Sequence, residues 1–287
     1  MPDDQPDGRD LAGLTYLVTG GNTGIGLATA RTLAHRGGRV YLACRSRDKG
    51  EAAAAALAAE TGSDQIGYLP LDLADLDSVR RCATGFLARD EPLHGLINNA
   101  GVAGRRGLTR DGFELCFGVN HLGHFALTTA LLDRLAASAP ARVVTVASDA
   151  HYQATGIDYG AVRRRTAHLA AMPEYAVSKL ANVLFSQELA RRTAGRGITT
   201  YALHPGLVAS DIWRRVPWPV RPIITRRMLT TEQGAATTLY CTASPDLAGV
   251  SGRFYADCRE AEPSRVATGE LARDLWERSD AWTATPG

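Results

Sequence analysis

Short, strongly apolar runs alternate with longer amphipathic segments along almost the whole chain. Most of the runs are nearly continuous in hydrophobicity, which is typical of strands that are covered on both faces of a sheet. Glycine and other turn residues lie between many of them and favour sharp changes of direction. The predicted strands comprise residues 15–19, 39–44, 66–71, 95–98, 142–147, 199–203 and 253–255.

The segments between these runs have the length and composition of helices. Alternation of strands and helices at this spacing predicts β-α-β crossovers. The fold class is therefore α/β, a single doubly wound parallel sheet of about seven strands with helices on both faces. Because no linker or repeat divides the chain, we expect one domain over residues 11–287 behind a flexible leader of residues 1–10. The predicted helices comprise residues 25–36, 48–60, 76–89, 112–137, 175–194 and 232–242.

Two connecting segments are too long for ordinary loops. Residues 149–174 follow the fifth predicted strand, and residues 206–231 follow the sixth. In a parallel sheet both leave the carboxyl ends of strands, which is where ligands bind. We therefore expect both to be substrate loops. Trp213 and Trp218 in the second segment fit a substrate wall and ordinary packing equally well.

Composition and charge exclude several classes of protein. With 45% hydrophobic and 22% charged residues, the chain is neither collagen-like nor disordered. A net charge of +2, with acidic residues interspersed, predicts no nucleic-acid partner. No apolar stretch long enough to span a membrane and no signal peptide is present, so we expect a cytoplasmic protein without a membrane partner. The five cysteines form no C-x-x-C pair, which predicts reduced thiols.

A glycine-rich turn with the spacing T-G-x-x-x-G-x-G, at residues 19–26, joins the first predicted strand to the first predicted helix. Glycine permits the tight turn and the close approach of the backbone to a pyrophosphate, and the amino end of the helix attracts the anion. We therefore predict a Rossmann-type dinucleotide site at this turn. Its candidate cofactor-binding residues are Gly20, Asn22, Thr23, Gly24, Ile25 and Gly26.

Further motifs follow the glycine turn at other strand ends. N-N-A-G occupies residues 98–101, Y-x-x-x-K occupies residues 175–179, and a Pro-Gly pair follows His204. With these motifs in this order, the chain resembles the short-chain dehydrogenase/reductase family over about residues 11–260. The long segment before Tyr175 and the H-P-G triplet resemble the branch that contains retinol dehydrogenases and protochlorophyllide reductases.

The resemblance implies a catalytic group of Asn120, Ser148, Tyr175 and Lys179. Tyr175 and Lys179 lie one helical turn apart on the same face, so the ammonium favours the phenolate and lowers the pKa of the phenol. Ser148 polarises a carbonyl oxygen, while Asn120 is expected to hold a water that links Lys179 to solvent. The family pattern further implies cofactor contacts from Asp72, Leu73, Asn99, Ala100, Gly101, Tyr175, Lys179, Pro205, Gly206, Val208 and Ser210.

The chain departs from the pattern of its branch at two positions. Ala147 stands where a second serine is usual, and Ser210 stands where a threonine near the cofactor amide is more usual. Neither change removes a catalytic group, but the second one weakens the assignment of that contact.

Arg45 predicts which dinucleotide is bound. It follows the second predicted strand, 19 residues after Gly26, where NAD-binding proteins place a carboxylate on the ribose hydroxyls. A guanidinium at this position would instead bind a 2′-phosphate with paired, charge-assisted hydrogen bonds. We therefore predict NADP(H), with Arg47 and Lys49 either adding to the positive field or simply facing water.

These features predict an NADP(H)-dependent oxidoreductase that transfers a hydride between nicotinamide and a carbonyl or secondary alcohol. The expected partner is a bulky, apolar small molecule. The resemblance also implies a homodimer or homotetramer, formed through the long helices predicted over residues 112–137 and 175–194. An NADP(H)-binding regulator without turnover is the alternative, against which the intact Ser148, Tyr175 and Lys179 argue.

Other chemically capable residues have structural interpretations. His121 and His124 are spaced i, i+3, but no third ligand accompanies them, so we predict no metal site. Arg163, Arg164 and Arg165 are interpreted as a solvated loop, with contact to an acidic substrate or partner as the alternative.

Overall fold

One eight-stranded sheet organises the chain in the computed structural model, which describes residues 10–207 and 229–284. Its strands are β1 (Thr15–Thr19), β2 (Arg39–Cys44), β3 (Ile66–Pro70), β4 (Gly95–Asn98), β5 (Ala141–Val146), β6 (Ile198–His204), β7 (Arg253–Ala256) and β8 (Arg259–Ala261). The strand order is β3-β2-β1-β4-β5-β6-β7-β8, and every neighbouring pair is parallel except β7 with β8. The order reverses between β1 and β4, so the ligand-binding crevice of such a sheet lies at their carboxyl ends.

Helices cover both faces of the sheet, as the alternating pattern predicted. They are α1 (Gly24–His35), α2 (Arg47–Thr61), α3 (Leu76–Leu87), α4 (Leu115–Phe117), α5 (Gly123–Ala130), α6 (Leu132–Ala137), α7 (Met172–Arg192), α8 (Thr231–Ala243) and α9 (Gly269–Thr283). Helices α1, α2 and α8 pack on one face, and α3, α5 and α7 pack on the other. The α/β fold class predicted from the sequence is confirmed.

The continuous helix predicted over residues 112–137 is correct only in part. The helix begins at Leu115 and runs from α4 through a turn of π-helix at Gly118–Leu122 into α5, and Leu131 separates α5 from α6. Apolar periodicity reports which face of a helix is buried, but it does not reveal the extra residue that widens one turn. At the end of the π turn, a Cβ on Gly123 would lie 2.7 Å from the carbonyl oxygen of Leu73.

Two elements near the carboxyl end were not predicted. Strand β8 is only three residues long and is half-exposed or exposed throughout, so it lacks the apolar run that marks the other strands. Helix α9 is rich in charged residues, but Trp276 is buried against the rings of Phe125 and Phe185, at centroid distances of 4.8 and 5.8 Å. Its narrow apolar stripe covers α7 and part of α5.

The two long segments differ in how much of them the structure describes. Residues 149–174 contain short 3-10 turns at Asp149–Gln153 and Ala161–Arg163. Most of the predicted substrate loop at residues 206–231, including Trp213 and Trp218, lies outside the described residues. Within the described ranges, no helix is both long and apolar enough to cross a membrane.

Candidate active site

The glycine turn between β1 and α1 has the geometry that a bound dinucleotide requires. Gly20 and Gly24 have φ angles of +66° and +58°, in the left-handed region that favours glycine. A Cβ on Gly26 would lie 2.5 Å from the carbonyl oxygen of Gly20, so a larger residue would push α1 away from the turn. A Cβ on Gly24 would meet no atom within 4 Å, which leaves open space beside the amino end of α1. The predicted neighbours Asn22, Thr23 and Ile25 lie in the same turn.

Gly26→Ala is therefore expected to raise the dissociation constant for the dinucleotide at least about tenfold and to lower stability by about 1–3 kcal/mol, as overpacking does. Isothermal titration and thermal unfolding would measure the two effects. The control is Gly85→Ala in α3, where a Cβ meets nothing within 4 Å. It should leave binding unchanged and raise stability by up to about 1 kcal/mol. Wild-type affinity in Gly26→Ala would contradict this assignment of the turn.

The N-N-A-G segment is tied to this turn by the side chain of Thr19. The Thr19 hydroxyl accepts hydrogen bonds from the backbone N–H groups of Asn99 and Ala100, both at 2.9 Å. The Asn99 side chain in turn donates to the Thr19 carbonyl at 2.8 Å. Gly101 extends this segment towards the candidate catalytic group, because a Cβ there would lie 3.3 Å from Oδ1 of Asn120 and 3.8 Å from Nζ of Lys179. The two motifs thus form one surface at the crevice between β1 and β4.

Asn120 is fully buried in the π turn, and every polar atom of its side chain is engaged. Its Oδ1 accepts from the backbone N–H of Val102 at 2.7 Å, while its Nδ2 donates to the Val102 carbonyl at 3.0 Å. Nδ2 also donates to the Ser178 hydroxyl at 2.9 Å, and that hydroxyl donates to the Tyr175 carbonyl at 2.7 Å. Asn120 therefore joins the loop after β4 to the first turns of α7.

Ser148 and Tyr175 are brought together by β5 and α7. The Ser148 hydroxyl favours the phenolate and so opposes the effect of burial on the pKa of Tyr175. Burial is the stronger effect, so the pKa of Tyr175 lies above its ordinary value. The phenol is consequently protonated at neutral pH and available as a proton donor.

Lys179 is buried beside this pair. Its Nζ donates to the Val146 carbonyl at 2.8 Å and lies 5.6 Å from the centroid of the Tyr175 ring. Burial lowers the pKa of Lys179 to about 8, so the ammonium form still predominates at neutral pH. The expected net lowering of the phenol pKa is not met in this geometry, because burial of the phenol is the largest effect on that pKa.

Two histidines that the sequence did not place in the site hold the segment around Ser148. His151 donates from Nδ1 to the Ser148 carbonyl at 2.7 Å and accepts from the backbone N–H of Ser264 at 3.1 Å. His204 accepts from the backbone N–H of Asp149 at 3.2 Å, and its Nε2 lies 3.1 Å from the Asp149 carboxylate. Both rings thus hold this segment in place, and their contacts with Ser264 and Asp149 join residues that are distant in sequence.

Asp72 and Leu73 follow β3 at the same edge of the sheet. Asp72 Oδ1 accepts from the backbone N–H of Ala74 at 3.0 Å, and its own N–H donates to Ser78 at 2.9 Å. Among the described residues, Oδ2 of Asp72 has no partner, so it remains available to an adenine ring. Leu73 is buried against Gly123 at the start of α5.

Arg45 is exposed directly after β2, and Ser46 behind it caps α2 by accepting from the Lys49 N–H. Arg45 forms no ion pair with the described part of the chain. Arg47, by contrast, pairs with Glu51 at 2.8 Å, which reduces the charge it can offer to a ligand. Arg45 is therefore a better candidate for a 2′-phosphate than Arg47.

The last predicted cofactor segment is described only in part. Pro205 and Gly206 follow β6, and Gly206 has a φ of +83° that favours glycine. A Cβ on Gly206 would lie 2.5 Å from Cδ1 of Leu229. The predicted contacts of Val208 and Ser210 lie outside the described residues.

The described residues contain no cluster of three or more side chains suited to a metal ion. His121 donates to or accepts from the Ser279 hydroxyl at 2.9 Å, on the side of α9, and lies among aromatic rings. His124 instead contacts Thr19 and Asn120. Although spaced i, i+3, the two rings therefore have different partners.

Comparison with known proteins gives consistent matches over nearly the whole chain. The sequence model described as short chain dehydrogenase matches residues 15–218. Retinol dehydrogenase 11 of Homo sapiens is 46% identical over 276 residues, covering 94% of this chain and 85% of that protein. Retinol dehydrogenase 13 of Homo sapiens is 41% identical over 284 residues, covering 96% and 86%.

Solved structures agree with the sequence matches. An uncharacterised protein from Mycobacterium paratuberculosis is 35% identical with a TM-score of 0.75, and 96% of each chain is covered. The NADP active-site complex of Pseudomonas aeruginosa RhlG is 26% identical with a TM-score of 0.70, covering 90% of this chain and 98% of the other. Motifs, sheet topology and relatives agree, and the chain belongs to the short-chain dehydrogenase/reductase family, on its retinol dehydrogenase-like branch.

Proposed function

We propose that this protein is an NADP(H)-dependent oxidoreductase that interconverts a carbonyl compound and an alcohol, acting mainly as a reductase of ketones or aldehydes. The observation that carries the proposal is the pair of hydroxyls on Ser148 and Tyr175, of which the first favours the phenolate of the second, beside the buried ammonium of Lys179. This group adjoins the N-N-A-G segment, which is itself tied to the glycine turn.

The residues of the site divide the chemistry among them. When bound, nicotinamide supplies or accepts the hydride. The hydroxyls of Ser148 and Tyr175 donate hydrogen bonds to a substrate carbonyl oxygen, where negative charge develops. Tyr175 then transfers its proton to that oxygen, and the phenolate left behind is stabilised by the positive charge of Lys179. Asn120 holds the start of α7 in place through Ser178.

NADP(H) is proposed over NAD(H) because of Arg45. A carboxylate at the end of β2 would repel a 2′-phosphate, whereas the exposed guanidinium attracts it. The NADP complex of RhlG and the NADP complex of a Burkholderia cenocepacia short-chain dehydrogenase, 27% identical with a TM-score of 0.69, support the same choice.

Arg45→Ala should weaken NADPH binding by roughly 1.5–3 kcal/mol, the range for hydrogen bonds to charged groups, with little effect on NADH. Competition titrations with both dinucleotides on wild type and variant would measure this difference. Arg47→Ala is the matched control, because the Arg47 guanidinium is already paired with Glu51. A wild type that prefers NADH would refute the assignment of Arg45.

A bulky apolar substrate is supported by exposed apolar side chains in the segments after β5 and β6. Leu169 and Leu207 are 85% and 65% exposed, and Tyr152 and Met172 are also exposed. Met172 starts α7 three residues before Tyr175, and Leu207 directly follows Gly206. The names of the relatives agree, since retinol is a bulky apolar alcohol.

The experiment that tests this function is NADPH consumption across a panel of apolar aldehydes and ketones, followed by absorbance. We expect turnover, with NADPH preferred to NADH. Tight NADPH binding without consumption of any compound would instead favour the regulator without turnover.

We further propose that the protein works in the cytoplasm as a homodimer or homotetramer. All five cysteines are free thiols, which suits a reducing compartment. Because α9 covers part of α7, subunits would have to associate through the remaining surface of the long helices. Light scattering after size-exclusion chromatography measures the assembly, and a monomer at micromolar concentration would refute it.

A further inference from the structure

His124 lies buried where the glycine turn, the N-N-A-G segment and the π turn of Asn120 meet. It is 1% exposed, at the start of α5, behind both the glycine turn and the N-N-A-G segment. Its Nδ1 lies 2.9 Å from the carbonyl oxygen of Asn120, and its Nε2 lies 2.9 Å from the hydroxyl oxygen of Thr19. No step of the proposed reaction uses this ring.

The protonation state of His124 follows from its partners. A carbonyl oxygen only accepts, so Nδ1 carries a proton and donates it to Asn120. Burial lowers the pKa of the ring to about 4, and the nearby positive charge of Lys179 acts in the same direction. His121, one turn earlier, is also buried and neutral at pH 7 because its pKa is lowered to about 3. The His124 ring is therefore neutral, and its Nε2 is a bare acceptor.

The Thr19 hydroxyl completes this arrangement. Its two lone pairs accept the backbone N–H groups of Asn99 and Ala100. Its own proton is therefore free to be donated, and Nε2 of His124 at 2.9 Å is a closer acceptor than the Ile97 carbonyl at 3.3 Å. Donors and acceptors thus balance along one chain of hydrogen bonds only when His124 is the neutral Nδ1–H tautomer.

From this geometry we propose that His124 is a positioning residue that couples the glycine turn to the π turn that carries Asn120. Nε2 of the ring orients the Thr19 hydroxyl, which holds Asn99 and Ala100 beside the cofactor crevice. Nδ1 of the ring fixes the backbone carbonyl of Asn120 in the π turn. The side chain of Asn120 in turn contacts Val102 and Ser178. This role rests on the proposed function, since it concerns that same site.

Two conservative variants separate the effects of the two hydrogen bonds of His124. In His124→Asn, the side-chain amide nitrogen is as many bonds from Cα as Nδ1, so it retains donation to the Asn120 carbonyl. In His124→Gln, the side-chain oxygen corresponds to Nε2 and retains acceptance from the Thr19 hydroxyl. His124→Phe preserves a planar ring and removes both hydrogen bonds.

The measurements are the NADPH dissociation constant, kcat at saturating NADPH, and the melting temperature of each variant without ligand. His124→Phe is expected to raise the dissociation constant and lower kcat by about tenfold each, the scale of one lost buried hydrogen bond. His124→Asn should restore kcat to within about threefold of wild type but not NADPH affinity, whereas His124→Gln should restore affinity but not kcat. Wild-type behaviour of His124→Phe, or equal losses in all three variants, would overturn the proposal.

A spectroscopic measurement is independent of turnover. In protein labelled with ¹⁵N-histidine, the signals missing from His124→Phe identify the ring nitrogens of His124. We expect the shifts of a neutral Nδ1–H imidazole that do not titrate between pH 5 and pH 9, since the pKa is lowered to about 4. A charged ring or an Nε2–H tautomer would overturn the inference. Absence of turnover in the wild type would instead contradict the proposed function, and tautomer and NADPH affinity would still test His124.

Discussion

Tyr175→Phe is expected to lower turnover by about two orders of magnitude or more, the usual contribution of general acid–base catalysis. The substitution removes only the hydroxyl, so the ring keeps its packing against the apolar cluster around α7. NADPH affinity and melting temperature should therefore remain close to those of the wild type. Steady-state kinetics, fluorescence titration with NADPH and thermal unfolding measure the three quantities.

Tyr240→Phe provides a matched control for this result. Tyr240 is half-buried on α8, on the opposite face of the sheet from α7, and its ring packs against Tyr255. Loss of its hydroxyl should change neither kcat nor NADPH affinity. Near-normal turnover in Tyr175→Phe would show that another group protonates the substrate oxygen.

The α/β architecture was predictable because buried parallel strands appear in the sequence as short apolar runs. Residues 15–19, 39–44 and 95–98 are nearly continuous apolar runs, and the structure makes each an interior strand of the sheet with these same bounds. Strand β8 and helix α9 have weaker sequence patterns. Both are rich in polar residues, and α9 depends on tertiary contacts of a few large side chains such as Trp276.

The motif residues of the candidate site could be proposed from the sequence for a different reason. Short motifs such as residues 98–101 and 175–179 fix residue types at set positions on strand ends or on one helix face. The structure brings Gly101, Asn120 and Lys179 close together.

The supporting groups were not predictable from local patterns. His124 and His151 act through partners 105 and 113 residues away in sequence, so no window of the chain contains both halves of either contact. The π turn around Asn120 could not be predicted from the sequence either, because apolar periodicity tolerates one additional residue. Such features depend on the assembled sheet rather than on any single segment.

Lys179→Met is expected to reduce both turnover and NADPH affinity by at least about tenfold, since it removes a charge that serves the phenolate and the proposed ribose contact. Methionine matches the apolar stem and avoids burying an ammonium, so the fold should not be weakened. The Val146 carbonyl would still accept a hydrogen bond from Asn182, now 3.1 Å away. Kinetics, NADPH titration and thermal unfolding would separate these effects.

The pH dependence of reduction gives the sharper test of Lys179. Its pKa is lowered to about 8 by burial, so the ammonium is present below that pH and lost above it. In the wild type, kcat/KM for carbonyl reduction should therefore fall as pH rises through about 8, because the Tyr175 phenolate loses its stabilising charge. This descending limb should be absent from Lys179→Met. It should persist in Lys49→Met, which removes the chain's other lysine from an exposed position on α2. If the limb survives in Lys179→Met, a different group controls the acid step.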